Sequence, residues 1–235
     1  MNLPKYIKII GIICLLLLVA AISLYSINKD KKSSDRAPGT HLIVATDLHY
    51  LASELTDQGE YFQNMLADGD GKITQYVTEI TDAFLEQVID QHPDALILSG
   101  DLTFNGAKSS HIELADKLQK VADSGVAVLA LPGNHDLYSR MAASFSEDTF
   151  AYVENIDAET FEKIYSNFGY SDSLSSDKAS LSYIYKINEK VRILMVDVNT
   201  KKAPGKITNE TLEWIEGELV KANQEFSFVI GEIGK

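Results

Sequence analysis

Ala95-Leu-Ile-Leu-Ser-Gly-Asp-Leu-Thr103 decides the architecture of this chain: an apolar run ends at Ser99 and opens at once into a glycine and a carboxylate. A run so short, apolar at every position and closed by a turn residue, reads as a strand buried on both faces, as strands of parallel sheets are. Two other stretches repeat the pattern, His41-Leu-Ile-Val-Ala-Thr-Asp-Leu-His49 and Val126-Ala-Val-Leu-Ala-Leu-Pro-Gly-Asn-His-Asp136. Between them lie two amphipathic stretches. Residues 74–91 carry Val77, Ile80, Phe84, Leu85 and Val88 at helical spacing and end before Pro93, and residues 108–124 carry Ile112, Leu114, Leu118 and Val121 and stop at Gly125. Strand alternating with helix predicts an α/β fold with a parallel sheet, whose ligand chemistry gathers at the carboxyl ends of the strands.

Beyond residue 136 the pattern changes. Residues 145–158 are aromatic and acidic without a clear period, and 159–168 read as a helix. Residues 182–187 and 191–197 flank Asn188-Glu189-Lys190 as an antiparallel hairpin, 208–223 form a helix capped by Thr208, and 226–230 form one more strand. Asp68-Gly-Asp-Gly-Lys-Ile73 places a glycine and an apolar residue as a calcium loop does. Leu66 and Val77 stand where that loop needs its first acidic ligand and its bidentate glutamate, so the stretch reads as a turn.

Composition bounds the partners. Six of the 21 basic residues but only two of the 34 acidic ones precede residue 37, which leaves 15 basic against 32 acidic residues in the body. Such a body is not expected to bind nucleic acid through its backbone phosphates. Residues 9–25 are uncharged and apolar, follow Lys5 and Lys8, and approach the length of a bilayer-spanning helix. Residues 1–27 are therefore expected to be a membrane anchor or signal peptide, 28–40 a flexible tether, and 41–235 the folded domain. Cys14 is the only cysteine and lies in the leader, so the body has neither a disulfide nor a thiolate metal site.

The residues that follow the three strands carry metal-type donors. In Asp47-Leu48-His49 the two flanking side chains point to one side and can chelate one ion. Gly100 allows a tight turn that brings the Asp101 carboxylate inward, where its two oxygens can bridge two cations. Asn134 offers an amide oxygen, His135 beside it is free to act as an acid, and Asp136 is placed to orient the imidazole. Mixed carboxylate, imidazole and amide donors suit Mn²⁺, Fe or Zn²⁺ better than Ca²⁺. His41, His92 and His111 read as surface or packing residues, and Tyr183 and Tyr185 as sheet-face residues.

These blocks resemble the calcineurin-like metallophosphoesterase family, whose pattern runs D-x-H, G-D, G-N-H-[DE], a lone histidine and G-H-x-H. Asp47, His49, Gly100, Asp101, Gly133, Asn134, His135 and Asp136 match the first three blocks in order, and the resemblance covers roughly residues 41–230. It implies a layered α/β fold, a β-sandwich flanked by helices, and hydrolysis of small phosphomonoesters or phosphodiesters by two-metal activated-hydroxide attack. It implies further that Asp47, His49 and Asp101 hold the first metal, that Asp101 and Asn134 hold the second, and that His135 protonates the leaving oxygen. All five histidines lie at or before His135, so the last two blocks have no counterpart. The expectation is a carboxy-terminally truncated domain with an incomplete second sheet, one metal at most and impaired activity; the alternative is an inactive anchored remnant or binding domain. An incomplete sheet would leave an edge able to associate with another chain. Likeness to bacterial exported members places the domain outside the cytoplasmic membrane, or secreted if the leader is cleaved.

Overall fold

A computed structural model describes residues 39–68 and 72–222, and the backbone of 227–231. Strands β1 (Leu42–Ala45), β2 (Ala95–Ser99) and β3 (Ala127–Leu131) form a parallel sheet with β2 in the centre. Ala45 is level with Leu98 and Ser99 with Leu131, so the three chains leave the sheet at nearly the same height. Before β1, His41 and Asp94 exchange hydrogen bonds: the His41 amide donates to Asp94 Oδ2 at 2.6 Å, and the Asp94 amide donates to the His41 carbonyl at 2.8 Å.

Helices α1 (Glu60–Ala67), α2 (Val77–Gln91), α3 (Lys108–Asp123), α4 (Ala158–Ile164) and α5 (Asn209–Ala222) surround two further sheets. Strands β4 (Ala143–Ser146) and β5 (Thr149–Tyr152) make a hairpin in the stretch that showed no period. Strands β6 (Ser175–Ser176), β7 (Tyr183–Lys186), β8 (Arg192–Val196) and β9 (Ser227–Gly231) make a mixed sheet in that order, with β7 and β8 the expected hairpin and β9 parallel to β8. The expected helix over 159–168 ends at Ile164 and gives way to a wide turn over Ser166–Tyr170, broken at Gly169 with φ 106°. Thr208 caps α5 as read, its hydroxyl accepting from the Thr211 amide at 3.1 Å.

Side-chain alternation assigns each strand face to a layer. Ala95 and Ile97 of β2 and Leu129 and Leu131 of β3 meet Tyr183, Ile193 and Met195 of the mixed sheet. The opposite face, Leu96, Leu98, Val128 and Ala130, packs on Leu85 and Val88 of α2 and Leu114, Leu118 and Val121 of α3. Beyond the mixed sheet, Ile184, Leu194 and Val196 pack on Ile215 of α5. The result is helix, sheet, sheet, helix. The apolar run at 9–25 lies outside the described residues; among those described, no helix is long and apolar enough to cross a membrane.

His111, expected only to pack or face solvent, is fully buried on α3. Its Nε2 donates to the Asp136 carbonyl at 3.1 Å and its Nδ1 accepts from the Tyr165 hydroxyl at 3.0 Å, while Phe161 and Tyr165 meet the ring edge-on. Burial holds this imidazole below its ordinary value, against the pull of Asp136. Below pH 6.5 the unfolded chain takes up a proton that the folded chain refuses, so stability falls as pH drops from 6.5 toward the lower folded value. Chemical denaturation between pH 8 and pH 5 should show this loss, with a shallower slope in His111→Gln; an equal slope would assign it to other groups.

Candidate metal centre

The ladder between β1 and β2 does not stop at the strand ends. The Asp47 amide donates to the Gly100 carbonyl at 3.1 Å, that of His49 to Asp101 at 3.0 Å and that of Tyr50 to Leu102 at 2.9 Å, and the Phe104 amide returns to Tyr50 at 2.9 Å. This zipped pair of loops holds Asp47, His49 and Asp101 at φ 56°, 46° and 46°, with Gly100 at 106°. Left-handed backbone at a non-glycine residue costs about 1–3 kcal/mol and persists only where the surroundings impose it. Here it falls on all three residues expected to hold the first ion.

Asp101 is buried; its Oδ1 accepts from the His135 amide at 2.9 Å and its Oδ2 lies 4.0 Å from His135 Nε2. The His49 and His135 rings meet edge-on, with centroids 4.8 Å apart. His49 Nε2 lies 3.4 Å from Asp47 Oδ1, and its Nδ1 is buried with no hydrogen-bond partner. Ligand atoms of His49, Asp101 and His135 all fall within 4.8 Å of one another. Two imidazoles and a buried carboxylate with ligand atoms this close, one of the rings keeping a buried nitrogen without a partner, fit a divalent ion of borderline softness. Burial, Lys72 and His135 hold the His49 imidazole below its ordinary value, although Asp101 and Asp47 pull it up; the neutral ring that results is the form a metal takes. Gly133 makes the arrangement possible, because a Cβ there would lie 2.1 Å from the Asp101 amide nitrogen.

The tight cluster differs from the expected sets. It contains His135, which was expected only as an acid, while Asp47 is exposed at its rim and Asn134 is exposed beside His135. Asp136 does not serve to orient His135. Its buried carboxylate accepts from the Leu102 amide (2.9 Å) and the Gly133 amide (2.8 Å) on one oxygen, and from the Thr103 amide (2.8 Å) and hydroxyl (2.7 Å) on the other. The His135 ring is set instead by the Phe104 carbonyl, 2.8 Å from Nδ1, which must therefore carry the proton. No side-chain pattern announces a backbone acceptor. From the mixed sheet, Asn199 reaches across to donate to the Pro132 carbonyl at 3.3 Å. Asn199 follows Asp197, a buried carboxyl that burial pushes up and that accepts from the Leu181 and Asn199 amides.

A fold of this kind is known. A dimetal phosphatase from Danio rerio superposes with a TM-score of 0.56 at 14% identity, over 83% of this chain and 70% of that one. No curated protein matches the sequence. The family model for calcineurin-like phosphoesterases matches residues 40–231, which takes in all three strand-end blocks, the mixed sheet and α5. The chain belongs to the calcineurin-like phosphoesterase family.

Proposed function

We propose that this domain hydrolyses small phosphomonoesters or phosphodiesters with a divalent ion, Mn²⁺, Fe or Zn²⁺, held at His49 and Asp101 with Asp47 at the rim. The observation that carries the reading is the carboxylate–imidazole cluster of His49, Asp101 and His135 at three strand ends, whose ligand atoms lie within 4.8 Å of one another. The ion, when bound, supplies Lewis-acid charge to phosphoryl oxygens and lowers the pKa of water. The protein does the rest. The ladder beyond β1 and β2 fixes the ligand backbones, and Asp101 Oδ1 anchors the His135 amide. Because the Nδ1 proton of His135 is committed to the Phe104 carbonyl, the ring can hand a proton to the leaving oxygen only from Nε2, 4.0 Å from Asp101 Oδ2, and only when it is doubly protonated, returning to the Nδ1–H tautomer afterwards. Asn134, exposed at the same edge, offers its amide to a second ion or to the phosphoryl group. In this proposal the apolar run at 9–25 anchors an acidic domain outside a bacterial cytoplasmic membrane.

One observation favours a second reading, a domain that binds a phosphorylated ligand without turning it over: among the described residues the cluster of possible ligand atoms is His49, Asp101 and His135, enough to hold one ion. Hydrolysis of bis(p-nitrophenyl) phosphate and p-nitrophenyl phosphate with added Mn²⁺ separates the two. Turnover that chelation abolishes supports the enzyme; tight Mn²⁺ binding without turnover supports the second.

Asp101→Asn should lower Mn²⁺ affinity by calorimetry on the order of 100-fold, and Gly133→Ala should do the same by pushing Asp101 aside. Unchanged affinity in both would move the ion elsewhere. His135→Gln should reduce kcat about 10²–10⁴-fold for an alkyl ester but much less for p-nitrophenyl phosphate, whose leaving group needs no proton. Equal losses on both, together with weaker Mn²⁺ binding, would make His135 a ligand rather than an acid.

A further inference from the structure

His135 and Asn134 stand at one end of a cleft of about 930 Å³, at the upper end of the range of about 300–1,000 Å³ typical of small-molecule sites. A phosphoryl group fills little of it. The walls come from α1, with Tyr61 and Met65, and from the β4–β5 hairpin, with Phe145, Phe150 and Tyr152. The rings form a continuous run: Tyr152 meets Phe150 at 5.3 Å between centroids, Phe150 meets Tyr61 at 5.6 Å, Tyr61 meets Phe145 at 6.3 Å and Phe145 meets Phe104 at 6.4 Å. The run ends at Phe104, the residue whose carbonyl fixes His135.

Two further facts bear on what lies against this surface. Tyr152 is 70% exposed and Phe150 40%, although every residue of β5 could have been polar at no cost to the hairpin's hydrogen bonds. Asn105, the buried amide in the wall, has both its nitrogen and its oxygen bonded within the fold: it donates to the Ala143 carbonyl at 3.0 Å and accepts from the Ala107 amide at 3.3 Å. Asp68, Lys72 and Ser139 also line the cleft, but the continuous part of its surface is ring faces and the adaptable thioether of Met65.

We propose that this cleft is the leaving-group subsite, and that the substrate is a phosphoester whose leaving group carries a flat aromatic ring system, laid along the Tyr61–Phe150–Tyr152 surface while its phosphoryl group reaches the metal centre. The assignment rests on the phosphoester-hydrolase reading. Continuity selects this occupant, because the same His135 belongs to the cluster and to the cleft wall. Stacking on aromatic rings tolerates many ring systems, so the subsite selects for flatness rather than for one hydrogen-bonding pattern.

The test uses the full chain with Mn²⁺ and measures, by calorimetry or tyrosine fluorescence, the affinities of methylphosphonate, octylphosphonate, 1-naphthylmethylphosphonate, the phosphonate analogue of adenosine monophosphate, and 1-naphthylmethanol. The naphthyl compound should bind about tenfold or more tighter than methylphosphonate and tighter than the octyl compound. Tyr61→Leu and Phe150→Leu, which keep apolar bulk and remove the ring face, should shrink that preference several-fold, with circular dichroism confirming the fold. The nucleotide analogue binding as tightly as the naphthyl compound would identify the ring as a nucleobase, and weaker binding would identify it as an aryl group. Equal affinity for methyl and naphthyl phosphonates, or preference for octyl, would overturn the proposal. Phosphonates binding no better than 1-naphthylmethanol would instead overturn the phosphoester reading itself.

Discussion

The Asp136 carboxylate is the joint on which the site depends. It has no exposure to water and accepts four hydrogen bonds, from the Leu102, Thr103 and Gly133 amides and the Thr103 hydroxyl. Removing a carboxylate from water costs several kcal/mol, and hydrogen bonds to such a group return about 1.5–3 kcal/mol each. Four of them outweigh the penalty, and the geometry they demand is specific: the loop after β2 and the loop after β3 must lie side by side. That closeness puts Gly133 against Asp101 with no room for a Cβ, and lets the His135 amide reach the Asp101 carboxylate. Two of the three metal-type blocks are thereby one unit before any ion arrives.

The third block joins by a different means. The β1–β2 ladder runs on past the strands and forces Asp47, His49 and Asp101 into left-handed backbone. At about 1–3 kcal/mol each, three such residues are a considerable cost for one small domain, and the sandwich bears it through the two-sided burial of β2. The helices cover one face of the parallel sheet, and the mixed sheet covers the other and sends Asn199 to brace the Pro132 carbonyl. Donors gathered on strained backbone and left with a partnerless buried nitrogen are organised for a ligand rather than for stability.

Strands β2 and β3 were legible because burial leaves an unbroken apolar run, and the β7–β8 hairpin because its two runs flank a polar turn; β1 carries the same apolar run but lies at the sheet edge with Val44 exposed, not buried on both faces as its sequence suggested. The β4–β5 hairpin was not legible, for a physical reason: its alternation, with Ala143, Phe145, Phe150 and Tyr152 on one face and Ser144, Ser146, Thr149 and Ala151 on the other, spans only four residues on each strand, too few to set a period against the aromatic and acidic residues that follow. The motif residues lie together at the strand ends, but their hydrogen-bond partners differ from those read in the sequence. Asp136 was expected to hold a side chain and holds backbone amides, and His135 was expected to be held by a side chain and is held by a backbone carbonyl. Main-chain partners leave no trace in residue identity. His111 shows the same limit, since its donor goes to the Asp136 carbonyl and its acceptor to a tyrosine 54 positions away.

Phe104 connects these levels. Its amide closes the extended β1–β2 ladder on Tyr50, its carbonyl sets the tautomer and direction of His135, and its ring ends the aromatic run that lines the cleft. A single residue of the loop after β2 therefore touches the strained backbone, the imidazole and the cleft wall. The carbonyl and the ring belong to one residue, so the acceptor that sets the imidazole and the end of the aromatic run are coupled in position. The short turn between Asp101 and Gly106, which the Asp136 carboxylate grips at Leu102 and Thr103, keeps that coupling tight. A longer or unbraced loop could carry the same residues and lose the alignment between the ring surface of the cleft and the His135 imidazole.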